Sequence, residues 1–165
     1  MSVPSYSPEV ALEHLRATPR RLSEMSRGWS DHRLAQRPGR DEWSAVEVLA
    51  HLRACVEIWG GNIEALVEGE HARLRTTDPR DWLEGVDLVS QGFASSLRSF
   101  RRQRARLLLQ LEGLSLTDWT ATVTVLTWGQ RYPRSVLYYA DRLARHERSH
   151  LRQIERLTIG SSGPA

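Results

Sequence analysis

Apolar residues recur every three or four positions over four long stretches of the chain, with polar residues on the opposite faces, which is the pattern of amphipathic helices. The first stretch runs from Ser7 to Arg27, with Ser7 and Pro8 at its start and Val10, Leu12, Leu15, Leu22 and Met25 as apolar positions. Thr18-Pro19 predicts a kink or break within it, and Gly28 its end. Residues 30–38 read as a short turn of helix and a loop closed by Pro38-Gly39. Ser44-Ala45-Val46-Glu47 has the form of a capping box and opens a second helix to about Glu68, with Val48, Leu52, Cys55, Ile58, Trp59 and Leu66 on its apolar side. A third helix, from about Asp87 to Glu112, is apolar at Leu97, Phe100, Leu107, Leu108 and Leu111. Pro133 opens a fourth, to Leu157, whose stripe is Val136, Ala140, Leu143, His146, His150, Ile154 and Leu157.

The connections are polar. Residues 69–85 form the longest loop, with Thr76-Thr77-Asp78-Pro79 as a turn signal, and a long ordered loop often walls a site. Leu116 to Tyr132 is a connector in which the alternation Thr122-Val123-Thr124-Val125 suggests a short extended segment without an obvious partner. Residues 160–165 read as a flexible tail, leaving one domain over residues 1–159. Four long amphipathic helices without an internal repeat predict an all-α, up-and-down four-helix bundle.

Two histidines stand in the stripe of the fourth helix, where apolar side chains are expected. His146 and His150 are one turn apart, so both imidazoles point at one place, a common way for a helix to hold a transition metal. Such pairs also arise by accident on exposed faces. His51, on the same side of the second helix as Val48, Cys55 and Ile58, also points inward. Bundle cores build metal sites from facing helices, and three neutral nitrogen ligands would leave a position open for water or substrate. Imidazole suits Zn, Ni, Fe and Cu alike, so the donors do not select the ion.

Composition narrows the setting of this site. A chain of 165 residues can bury a core without disulfides or a structural metal, so a metal here points to function. The single cysteine, Cys55, excludes an intramolecular disulfide. The first residues show no secretory pattern, and no stretch approaches the roughly 18 apolar residues of a membrane span, so a soluble cytoplasmic protein is expected. Arginine supplies all 23 basic residues, but the net charge is only +3. The run Arg101-Arg102-Gln103-Arg104-Ala105-Arg106, with Arg98, falls mostly opposite the leucines, as on a solvated face, and no recognition motif accompanies it. Neither a nucleic acid nor a membrane is expected as a partner.

Trp43-Ser44-Ala45-Val46-Glu47-Val48-Leu49-Ala50-His51-Leu52 resembles the start of the second helix in the DinB/YfiT-like superfamily. His146-Glu147-Arg148-Ser149-His150-Leu151-Arg152-Gln153-Ile154, downstream of Gly129, resembles that family's final helix. The resemblance implies a four-helix bundle with a divalent metal on His51, His146 and His150. It also implies a family containing thiol-dependent transferases and isomerases beside many members with no known reaction. The expectation is therefore a divalent transition metal (Zn, Ni or Fe), a small-molecule substrate, a homodimer as an option for the assembly, and a low-molecular-weight thiol as cosubstrate of an S-transferase, or water as that of a hydrolase. The competing class is a non-enzymatic bundle serving interaction, dimerisation or a stress response.

Other residues carry two readings each. His146-Glu147-Arg148-Ser149-His150 is literally HExxH, the zincin signature with Glu147 as general base, but only 15 residues follow His150 and none is histidine. Glu147, about 100° round the helix from His146, is better read as solvated or as a partner of a ligand. Glu68-x-x-His71 and Glu147-x-x-His150 have di-iron spacing, but the further core glutamates are missing. Cys55, one turn after His51, is a ligand or, by preference, a small core residue. Arg142 and Tyr139 either line a pocket for an anionic group or, for Arg142, cover apolar surface with its stem. Gln153 could support His150, and Trp43 and Trp128 flank the two motifs and could cap the pocket.

Overall fold

The helices begin where their caps are strongest. In the computed structural model, which describes residues 6–159, α1 (Pro8–Ser26) starts with the Ser7 hydroxyl accepting from the Val10 amide and Pro8 in the first turn. It passes Pro19 without a break, and the Thr18 hydroxyl donates to the His14 carbonyl one turn back at 3.0 Å. After the short α2 (Asp31–Ala35), α3 (Ala45–Cys55) opens with both halves of the capping box: the Glu47 amide donates to Ser44 Oγ and the Ser44 amide to Glu47 Oε2. A π-helical turn over Val56–Gly60 joins α3 to α4 (Gly61–Val67). Then follow α5 (Pro79–Glu84), capped by Asp78, and α6 (Phe93–Glu112), α7 (Leu116–Thr120), the strands β1 (Val123–Thr127) and β2 (Gln130–Arg134), and α8 (Val136–Ile159). The expected tail, residues 160–165, lies outside the described residues.

The expected all-α four-helix bundle is present, with a particular order of helices. α1 packs against α6 and α8, and α3 packs against the same two, so α1 and α3 lie on a diagonal. The Tyr6 amide bonds Asp141 and Arg21 bonds Glu155, so α1 and α8 run parallel. Arg53 bonds Ser96 while Glu64 pairs with Arg106, so α3–α4 and α6 also run parallel. α3 and α8 are antiparallel, with Trp43 beside His150 and Trp59 beside His146. This differs from a simple up-and-down sequence because residues 68–92, between α4 and α6, return the chain to the end where α3 began. The core between the four helices includes Leu15, Leu22, Leu49, Leu52, Ile58, Ile63, Phe100, Leu111, Leu143 and Ile154, all fully buried. Burial of each such side chain stabilises the fold by about 1.5–3 kcal/mol before entropy is counted.

Three local expectations are corrected. The segment around Val123 does have a partner, since β1 pairs antiparallel with β2 from Val123 opposite Arg134 to Thr127 opposite Gln130. Pro133 belongs to β2, and α8 starts after Ser135, whose hydroxyl accepts from the Tyr138 amide at 3.1 Å. The third long helix starts at Phe93, after a short 3-10 turn over Val89–Gln91, and not at Asp87. Among the described residues, no helix is long and apolar enough to cross a membrane.

Candidate metal centre

α3 and α8 bring three imidazoles together in the half of the bundle where they face each other. His51 Nε2 lies 2.8 Å from His146 Nε2, and His150 Nε2 lies 3.1 Å from the same atom. The rings meet edge to face, with centroids 4.6–5.1 Å apart. Cys55, a turn below His51, sets its Sγ 3.5 Å from His51 Nε2. Burial lowers the pKa of all three histidines, to about 4 for His51 and about 3 for His146; the neighbouring His150 adds to the shift of both. Arg80 pushes each ring the same way. The rings are therefore neutral near pH 7, the state a metal requires.

The protons available cannot link these rings. His150 Nδ1 donates to Gln153 Oε1 at 2.8 Å, so its Nε2 carries a lone pair. His146 Nε2 offers one in-plane site, either a proton or a lone pair. If it donates to His150 it has nothing for His51; if it accepts from His51 it faces His150 lone pair to lone pair. One of the two contacts is always unsatisfied among neutral rings, and a cation that accepts all three lone pairs removes the conflict. Nitrogen donors at 2.0–2.1 Å from a tetrahedral ion stand about 3.3 Å apart, close to the 2.8 and 3.1 Å found. By donor chemistry and spacing the residues fit a divalent transition metal. His51, Cys55 and His146 also form a group with all three donor atoms within 4.8 Å of one another.

A cleft of about 490 Å3 opens onto His51 and His146, walled by Trp59, Asp78, Pro79, Arg80, Arg142, Arg145 and Ser149. Arg142 lays its guanidinium on the Trp59 ring, 4.5 Å from the centroid, and donates to the Tyr138 hydroxyl at 3.2 Å. Arg145 pairs with Asp141, whereas no carboxylate partner is found among the described residues for Arg142 or Arg80. The cleft is thus electropositive. Two other clefts, near Gly60 and near Gly92, are of similar size, but their charges are largely paired: Glu64 with Arg73 and Arg106, Glu57 with Arg75, and Glu47 with Arg37.

The other candidates divide. Trp43 lies against the histidines, its ring 5.1 Å from that of His51 and 6.2 Å from that of His150, but it is not part of the cleft wall. Trp128 does not cap the site: it lies at the hairpin tip, 95% exposed. Tyr139 is buried in the core, edge-on to Tyr138, and is absent from the cleft wall. Glu147 is neither solvated nor in contact with the imidazoles, because the residue after His146 lies about 100° further round α8, where its carboxylate accepts from Arg104 of α6. Arg104 is correspondingly buried and departs from the solvated arginine face, on which Arg98, Arg101, Arg102 and Arg106 do lie. The general-base role of an HExxH helix thus finds no support in the position of Glu147. Glu68 is engaged with Arg73, and His71 is exposed beyond the end of α4, so the di-iron arrangement is not formed. Cys55 is in the core, as expected, and burial followed by the charge of Glu147 pushes its thiol well above the ordinary value.

Sequence reasoning missed Arg80 and Trp59. Arg80 enters from α5, and the Asp78-Pro79 pair that signalled a turn is the N-cap and first residue of that helix. Trp59 reaches His146 because the π-helical turn adds a residue to the helical repeat. Counted on a regular helix, Trp59 would lie about 80° from His51; with one residue absorbed by the wider turn it returns to nearly the same line.

No curated protein matches the sequence. Among solved structures, the chain is similar to one described as "YfiT from Bacillus subtilis is a probable metal-dependent hydrolase with an unusual four-helix bundle topology", with 14% identity and a TM-score of 0.76 over 96% of this chain and 90% of that one. At that identity the likeness establishes the fold. The family profile of the DinB superfamily matches residues 14–154, which include all three histidines and every long helix of the bundle at least in part. The chain belongs to the DinB superfamily.

Proposed function

We propose that the protein is a metal-dependent enzyme in which His51, His146 and His150 hold a divalent transition metal and the adjoining cleft receives a small anionic substrate. The observation that carries this reading is the convergence of three Nε2 atoms with too few protons to join them, one of them aligned by Gln153. The description of YfiT as a probable metal-dependent hydrolase supports the hydrolytic form of the reaction, with a low-molecular-weight thiol in place of water as the transferase form. When bound, such an ion supplies Lewis acidity and makes water or a thiol a nucleophile near neutral pH. The chain's own groups do the rest: Arg142, braced on Trp59 and Tyr138, and Arg80 orient the anionic end of the substrate, while Trp43 and Trp59 shield two sides of the histidine cluster.

Assay of small carboxylate- or phosphate-bearing esters and amides, and of thiol acceptors with a thiol added, tests the proposal. Activity is expected to vanish on chelation and to return with one particular metal. In Arg142→Gln, loss of one charge-assisted hydrogen bond should raise KM for the anionic substrate by about tenfold or more. Metal binding without turnover across both panels would favour the non-enzymatic class.

A further inference from the structure

We infer that Cys55 is a fourth protein ligand of this centre, so that the ion is held by three imidazoles and one thiolate. This rests on the three-histidine proposal above and adds a donor which that proposal does not require.

Cys55 follows His51 by four residues, so both side chains leave α3 on one face, a turn apart. Its Sγ approaches His51 Nε2, the nitrogen turned toward His146, at 3.5 Å. With metal–nitrogen bonds of about 2.0–2.1 Å and metal–sulfur bonds of about 2.3 Å, a nitrogen and a sulfur on one tetrahedral ion stand about 3.5 Å apart. The spacing from Cys55 to His51 therefore fits a shared ion, and the donor atoms of His51, Cys55 and His146 all lie within 4.8 Å of one another. Direction agrees with distance. His51 and His146 form part of the cleft wall but Cys55 does not, so its sulfur meets the cluster from the core side. A fourth donor placed there leaves the cleft side for water or substrate, through expansion to five ligands or exchange of one of them.

On binding, the sulfur–hydrogen bond of Cys55 breaks, a metal–sulfur bond forms, and the proton passes to solvent, so a divalent centre retains a single positive charge. A thiolate among the donors shifts preference toward the softer ions, zinc and copper(I), in a site whose imidazoles suit zinc, copper, iron and nickel alike. Zinc is thus the ion loaded first in the test.

The test uses the full chain, with Cys55→Ala and Cys55→Ser as variants and circular dichroism to verify folding. Cobalt(II) is added to each, and X-ray absorption is measured on the zinc-loaded parent. The expected result is a near-ultraviolet sulfur-to-cobalt charge-transfer band in the parent that both variants lack, while the variants still bind one cobalt through the histidines. The zinc edge should fit one sulfur at about 2.3 Å. A parent that binds metal with nitrogen and oxygen donors only, and shows no such band, overturns the role of Cys55 and leaves the three-histidine proposal standing. A parent that binds no metal overturns both.

Discussion

Among the described residues, Gln153 alone hydrogen-bonds an outer nitrogen of the three imidazoles, and through that bond it decides which His150 nitrogen keeps the lone pair. Partners of this kind set the tautomer and orientation of a ligand, and their loss costs about 10–100-fold in metal affinity. Gln153→Leu should show a drop of that size in competition with a chromophoric chelator, with the helical spectrum unchanged; an unaltered affinity would remove Gln153 from the site. His51 has no such guide, its Nδ1 being buried without a partner. Depressed histidine pKa values also set a sign for stability. In the metal-free protein the unfolded chain takes up protons as pH falls below about 6.5, whereas folded His51 resists until about 4 and His146 until about 3. Stability should therefore be highest above pH 6.5 and fall as pH drops through this window. Urea unfolding of chelated protein at several pH values checks it, and His51→Ala should show a shallower fall.

At the scale of elements, the parts legible in the sequence were those written by local chemistry. The capping box at Ser44, the paired histidines on α8 and His51 on the facing stripe stand as the residue pattern implied. What escaped depended on partners far along the chain. Arg104 belongs to a run of arginines that reads as solvated, and only the packing of α6 on α8 reveals that it faces Glu147. The π-helical turn that carries Trp59 to His146 leaves no mark in an apolar period of three and four. The β-hairpin was half visible, since Val123 and Val125 alternate but the paired strand contains Pro133, which reads as a helix start. Its tip places Trp128 and Gly129 at φ 48° and 75°, the left-handed pair of a type I′ turn, in which asparagine is far more at ease than tryptophan. With its ring in solvent, Trp128→Asn should raise stability by about 1 kcal/mol and leave metal binding unchanged. Weakened metal binding in this variant would return Trp128 to the site.

At the scale of the whole molecule, the order of helices explains why the site lies where it does. Parallel α3 and α6 need a long return between them, and that return carries α5, so Asp78, Pro79 and Arg80 come to rest over the histidines. Arginines on α5 and α8 then make the cleft positive, while the buried Glu147 spends its charge on Arg104 behind α8. The same fold thus separates a HExxH-like sequence from HExxH chemistry. The proposed function depends on an ion being held by residues of α3 and α8. The most direct measurement is metal content by plasma mass spectrometry on untagged protein beside His51→Ala and His146→Ala, each shown to be folded by circular dichroism. About one equivalent of a transition metal in the parent, lost from both variants, is the expected result; a parent that retains none after reconstitution, or variants that retain all of it, would contradict the three-histidine centre.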